Sequence, residues 1–149
     1  MNAGPRSTAT AKRPDSGTVI GFDFGEKRIG VAVGELTLRI AHPLTTIQAE
    51  DNTKRFAAIA AIIDIWRPVA LVVGVPRPAD GRPHEIARLA QRFARRLEGR
   101  FGLATRLIDE RLSSYAAEMA LRDQGAKRRD ALDAAAAQQI LQSYFDALA

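Results

Sequence analysis

Three acidic side chains carry most of the chemistry open to this chain. Asp23 interrupts the apolar run Val19-Ile20-Gly21-Phe22-Asp23-Phe24, Glu110 follows Leu107-Ile108-Asp109, and Asp133 leads into Ala134-Ala135-Ala136-Ala137. An acid on an otherwise apolar segment is costly to bury unless something positive holds it, and a divalent cation is the obvious candidate. The chain restricts which one. With no cysteine and only two histidines, a thiolate zinc site, a disulfide framework and a cysteine nucleophile are excluded, and imidazole chemistry has little to work with. Oxygen ligands remain, the preference of Mg²⁺ or Mn²⁺.

Each acid also has a plainer reading. Asp23 could close a turn near Gly25, although an acid between two phenylalanines makes a poor turn residue. Neighbours on a strand point to opposite faces, so the inward acid of the second pair is Asp109 or Glu110, and spacing alone leaves both open. If Asp130 is the N-cap of the last helix, Asp133 lies in its first turn, where the helix dipole favours any acid. Asp133 also stands one turn before Ala137, with Leu141, Tyr144 and Leu148 beyond, near the inward stripe, and Asp130 is its substitute.

The elements that must position these acids can be read from periodicity. Thr18 to Phe24 and Ile29 to Gly34 are short apolar runs joined by Gly25-Glu26-Lys27-Arg28, a hairpin, and Arg39 to Ile47 adds a third strand. Asn52 to Trp66 repeats Phe56, Ile59, Ala60, Ile63 and Trp66 at helical spacing, starting from an Asp-Asn-Thr cluster and ending before Pro68. Val69 to Val75 is a continuous β-branched run, as in a strand covered on both faces. A helix with Ile86, Leu89, Ala90, Phe93 and Leu97 on one side follows, then a strand over Thr105 to Asp109. Two helices, Ser113 to Asp123 and Asp130 to Leu148, close the chain. The order βββαβαβαα predicts an α/β domain with a mixed sheet, over residues 17–149.

Composition agrees with one globular domain: of 149 residues, 46% are hydrophobic and 26% charged. Lys and Arg number 22 against 17 Asp and Glu, a formal charge of +5, which favours a polyanionic partner. Residues 1–16 carry almost no large apolar side chain and read as a disordered tail. They lack the apolar core of a signal peptide, and no later run approaches the ~20 apolar residues of a membrane helix, so the expected location is cytoplasmic.

Four motifs then bring a family into view. Gly21-Phe22-Asp23-Phe24-Gly25-Glu26-Lys27-Arg28-Ile29-Gly30-Val31-Ala32, Val73-Gly74-Val75-Pro76 with Asp80-Gly81, Asp109-Glu110-Arg111-Leu112-Ser113-Ser114, and Leu132-Asp133-Ala134-Ala135 resemble, in that order, the YqgF/RuvX group. These are Holliday-junction-resolvase-like proteins described as nucleases for the 5′ end of pre-16S rRNA. The resemblance covers nearly everything after the tail, and departs where the family commonly has threonines and this chain has Ser113-Ser114. It implies a ribonuclease H-like fold, with a mixed five-stranded sheet of three antiparallel strands and then two parallel ones, flanked by helices. It further implies that Asp23, Glu110 and Asp133 are catalytic metal ligands for Mg²⁺ or Mn²⁺. The activity it implies is a metal-dependent endonuclease on structured nucleic acid, with pre-rRNA preferred. A Holliday junction in DNA, or a catalytically silent binding module, is the alternative. Ribosomal components are possible partners, and the assembly is a monomer or a homodimer.

Several basic residues could serve such a substrate: Lys27 and Arg28 in the hairpin, Arg111 beside Glu110, and Lys127, Arg128 and Arg129 just before the last helix. Arg88, Arg92, Arg95 and Arg96 form a further stripe that could track a phosphate backbone, though a charge run on a helix is usually a solvated face. The hairpin Gly-x-Asp-x-Gly also resembles the phosphate loop of actin-like ATPases. That class needs two such domains around a cleft, and 149 residues hold one.

Overall fold

The computed structural model describes residues 15–48, 51–76, 85–110 and 126–148. The hairpin forms as its sequence suggests: β1, Thr18–Asp23, pairs antiparallel with β2, Arg28–Glu35, which sets Asp23 directly opposite Gly30. β3, Ile40–Gln48, continues antiparallel on the outer side of β2. The chain then crosses through helix α1, Asn52–Trp66, to β4, Ala70–Val75, which lies parallel to β1 on its other side. Helix α2, Glu85–Phe101, leads to β5, Ala104–Asp109, parallel to β4. The sheet order is β3-β2-β1-β4-β5, the mixed five-stranded arrangement expected. Helix α3, Ala126–Ala147, ends the described chain.

Alternation along the strands divides the core into two layers. Ile20, Phe22, Ile29, Val31, Leu71 and Val73 face α1 and α2, where Phe56, Ile59, Phe93 and Leu97 complete the packing. The opposite faces of the same strands present Val19, Ala32, Ala70 and Val72 to Ala137, Ile140, Leu141 and Phe145 of α3. β4 is buried at every position, because the crossover helices α1 and α2 cover one of its faces and α3 the other.

Two expectations are corrected. The inward side of α1 holds Arg55, Phe56 and Ile59, while Ala60 and Trp66 are exposed. Ala57 to Trp66 is apolar nearly all round, so periodicity picks out no face there. α3 begins at Ala126 rather than Asp130, so Asp130 is no N-cap and Asp133 lies beyond the first turn. Lys127, Arg128 and Arg129 belong to that turn rather than to a preceding loop. Their good helix propensity extends the helix without adding to its apolar stripe. The expected helix over residues 113–123 and most of the expected tail lie outside the described residues.

α3 sits unusually close to the sheet because glycine lines the strands beneath it. A Cβ on Gly30 would run into the backbone carbonyl of Asp133, and one on Gly74 would meet the side chain of Ile140. Gly99, on α2, faces open space. Gly30→Ala should therefore cost about 1–3 kcal/mol by forcing α3 away, whereas Gly99→Ala should stabilise by about 0.5–1 kcal/mol through helix propensity. Denaturant unfolding of both variants checks this; equal effects would contradict the close seat of α3.

Candidate active site

Asp23 ends the central strand, with Gly30 of β2 and Gly74 of β4 as its two cross-strand neighbours. Directly paired residues share a face, so all three look toward α3, while Phe24 turns to the other layer and packs on Phe93 at 4.9 Å. The missing side chains of the two glycines leave room beside the Asp23 carboxylate. Two other acids use that room.

Glu110 directly follows β5, and its N–H donates to the Val75 carbonyl at 3.0 Å, extending the parallel ladder by one residue. Ile108 packs in the α3 layer, and alternation gives Glu110 the same side. Asp109 pairs with Val75, faces the other layer and is exposed. Glu110 Oε2 is buried and lies 3.0 Å from where a Cβ on Gly74 would stand. Asp133 comes from above: its carbonyl sits over Gly30, and its carboxylate accepts a 2.5 Å charge-assisted bond from Arg28 Nε. Asp130 is directed elsewhere. Its carboxylate accepts from Gln48 Nε2 at 2.6 Å and its carbonyl from the Thr46 hydroxyl at 2.5 Å, tying it to β3.

Asp23 feels the charge of both other acids. Burial pushes the Asp23 carboxyl up to about 9 from 3.8, reinforced by the negative charge of Glu110, a hydrogen bond with Glu110 and the charge of Asp133. A protonated Asp23 donating to Glu110 is how two carboxyls share a confined site without a cation. As the side chains lie, no three His, Cys, Asp or Glu among the described residues are grouped to hold one ion, and Asp133 is engaged by Arg28. The donor set nonetheless suits a hard cation: oxygen ligands only, from three separate elements, over a space kept open by glycine.

The structure separates the basic residues assigned from sequence. Arg28 serves the acids, whereas Lys27, next to it, is exposed and lines a cavity by α1 and α2. Arg129 is exposed on the first turn of α3, which also carries Lys127 and Arg128. Arg111 lies outside the described residues. Sequence reasoning missed Arg55, a buried guanidinium 5.6 Å from the Phe24 ring centroid. It also missed the glycines flanking Asp23, although a four-residue turn from Gly25 to Arg28 already sets Asp23 opposite Gly30.

A mixed sheet with one acid at the end of its central strand β1, another just after its edge strand β5, and a covering helix bearing a third is a ribonuclease H-like architecture. Solved structures agree. The Thermus thermophilus RuvC in complex with a Holliday junction substrate superposes with a TM-score of 0.53, at 18% identity, over 88% of this chain and 94% of that one. A second T. thermophilus RuvC structure gives 0.52, at 17% identity, over 88% and 95%. Residues 17–147 match the family model described as RuvX: Holliday junction resolvase, and the chain belongs to that family. A relative from Methylobacillus flagellatus is 59% identical over 136 residues, 89% of this chain and 93% of its own. One from Dechloromonas aromatica is 56% identical over 133 residues, 87% and 91%. Both carry the name "Putative pre-16S rRNA nuclease". No helix among the described residues is long and apolar enough to cross a membrane.

The raised Asp23 pKa has a signed consequence for stability. Between the unfolded value of 3.8 and the folded value of about 9, the unfolded chain releases a proton that the folded chain keeps. The metal-free protein should therefore lose stability as pH rises through that window. Asp23→Asn should flatten the slope and stabilise the protein at pH 8 by roughly 1 kcal/mol or more, about 2–4 °C per kcal/mol. Urea unfolding in EDTA across the window measures it, and parallel slopes for the two proteins would contradict the shared-proton cluster.

Proposed function

We propose that this protein is a metal-dependent endonuclease hydrolysing phosphodiester bonds in structured nucleic acid, with Asp23, Glu110 and Asp133 as the ligands of Mg²⁺ or Mn²⁺. The observation that carries the reading is that Asp23 of β1 is buried, hydrogen-bonded with Glu110 after β5 and within reach of the charge of Asp133 on α3, so that burial first and these two acids second keep its carboxyl protonated. Such a cluster is costly for folding and makes chemical sense as a cation site. Hard divalent cations bound there would supply an activated water and stabilise the leaving oxygen of the phosphodiester.

The chain's own side chains have definite parts in this scheme. Glu110 and Asp23, which share a hydrogen bond in the protein as it stands, would hold the cation in place of that proton. Arg28 is the counterion of Asp133 in the protein as it stands; were that carboxylate to hold the cation, the guanidinium would be available to a phosphate oxygen. Arg129, with Lys127 and Arg128 on the same turn, adds positive charge on the substrate side, and Arg111 follows Glu110 in sequence. Water is the nucleophile and no covalent enzyme intermediate forms.

For the substrate, the names of the relatives favour pre-16S rRNA; the resemblance to the family extends this proposal to the 5′ end of that RNA, to the cytoplasm and to ribosomal components as partners. A second reading rests on the family description and the junction-bound RuvC neighbour: a Holliday junction cut by the same acids, for which a homodimer matches the two-fold substrate. A monomer suffices for the RNA. Cleavage of a labelled pre-16S 5′ leader and a four-way DNA junction, with Mg²⁺, Mn²⁺ or EDTA, separates the readings. The leader should be cut only with metal, and Asp23→Asn should slow cutting roughly a hundredfold or more. Cutting of the junction alone would select the second reading. Binding without cutting under every condition would leave a catalytically silent module.

A further inference from the structure

On the layer opposite the acids, the same hairpin walls a second space. Its cavity of about 480 Å³ is lined by Phe24, Glu26 and Lys27 of the hairpin, Asn52, Arg55 and Phe56 of α1, and Leu89, Arg92, Phe93 and Arg96 of α2. The volume is in the range of small-ligand sites. Four cations and one carboxylate surround it, with phenylalanines as the floor. Arg55 is only 6% exposed, and its guanidinium donates to Asn52 Oδ1 at 3.5 Å and to the Glu26 carbonyl.

The helix pattern sharpens the point. Arg88, Arg92, Arg96 and Arg100 recur at every fourth position of α2, a ridge of like charges that each pair makes less stable. The two ends of the ridge are compensated. Arg88 pairs with Glu85 at 2.9 Å, and Arg100 lies over the Phe56 ring at 4.2 Å. The central two, Arg92 and Arg96, make no salt bridge with a described residue and turn to the cavity with Lys27 and Arg55. Gathering four cations around one concavity raises the energy of the protein unless an anion enters it.

We propose that this cavity is a second anion site, which takes a backbone phosphate of the nucleic acid substrate away from the bond that is cut. The proposal rests on the nuclease reading above. Asp23 and Phe24 are neighbours on opposite faces, and the turn from Glu26 to Arg28 joins Lys27 in the cavity to Arg28 beside Asp133. A strand crossing the hairpin end of the sheet meets both spaces. The Phe24, Phe56 and Phe93 rings are at most 9% exposed, so the floor offers no stacking platform, and recognition is of phosphodiester charge rather than of bases. Free inorganic phosphate shares that chemistry and is the alternative occupant.

The test uses the full chain in EDTA, so that binding is read without cutting. Affinity for a labelled pre-16S leader is measured by anisotropy across a range of salt, beside thermal shifts with inorganic phosphate. Arg92→Ala/Arg96→Ala should weaken binding by about tenfold or more and flatten the slope of log K against log salt by about 2. The control Arg88→Ala/Arg95→Ala removes two charges from the same helix outside the cavity and should stay within about threefold of the parent. Both arginines of the first pair reach solvent, so its melting temperature should be no lower than the parent's, and loss of the like-charge repulsion should raise it. Unchanged affinity, or equal loss in the control, would overturn the site. So would stabilisation by inorganic phosphate that needs Arg92 and Arg96 while leader binding does not. No binding of nucleic acid by the parent would overturn the nuclease reading as well. Metal-dependent cutting by an Arg92→Ala/Arg96→Ala protein that binds normally would overturn only this one.

Discussion

The close seat of α3 on a glycine-lined sheet is the contact on which the rest of the site depends. Asp23 is fixed by pairing in the middle of the sheet, and Glu110 by the ladder bond that carries β5 one residue further. Asp133 arrives only because Gly30 lets the α3 backbone descend over β2. Alanine at that point would lift the helix and with it the third acid. The small residues Ala134 and Ala137, buried on the underside of α3, serve the same approach from the helix side. Packing that looks merely economical thus sets the distance between carboxylates.

The two faces of the sheet divide the work. The α1 and α2 layer is thick and aromatic: Phe93 meets Phe22 edge-on at 5.8 Å and Phe24 and Phe56 at 4.9 and 5.9 Å, burying large apolar area that supports the fold. The α3 layer is thin and spends its end on charge. Both layers meet the hairpin between β1 and β2, which presents side chains to each. Asp23 and Arg28 therefore belong to the acid cluster, and Phe24 and Lys27 to the basic cavity, across a six-residue stretch. Opposite charges are kept apart by the sheet rather than by distance along the chain.

Much of this was legible in the sequence where one principle dominated. The β-branched run before Pro76 could only be a covered strand, and the hairpin followed from two apolar runs with a four-residue connection. The start of α3 was not legible. Lys127, Arg128 and Arg129 have helical propensity but add no apolar period, and cations sit badly at a helix N-terminus, so the signal shifted to Asp130. Asp109 and Glu110 could not be told apart, because the phase of β5 is set by its parallel register with β4, a non-local contact. Arg55 was invisible because patterning assigns a guanidinium to the outside, whereas this one is held by a carbonyl, an amide and an aromatic ring. Resemblance supplied the choice of acids; the geometry brings Asp23 and Glu110 into hydrogen-bond contact and seats Asp133 over Gly30.

The central claim is that Asp23, Glu110 and Asp133 form one cation site, and Mn²⁺ binding followed by electron paramagnetic resonance tests it most directly. Wild type is compared with Asp23→Asn, Glu110→Gln and Asp133→Asn, each verified as folded. Each single replacement should weaken Mn²⁺ binding by roughly tenfold or more, and Mg²⁺ should raise the melting temperature of wild type but of none of the variants. If any one of the three variants bound Mn²⁺ as wild type does, that residue would be no ligand, and the account of α3 as the element that completes the site would fail.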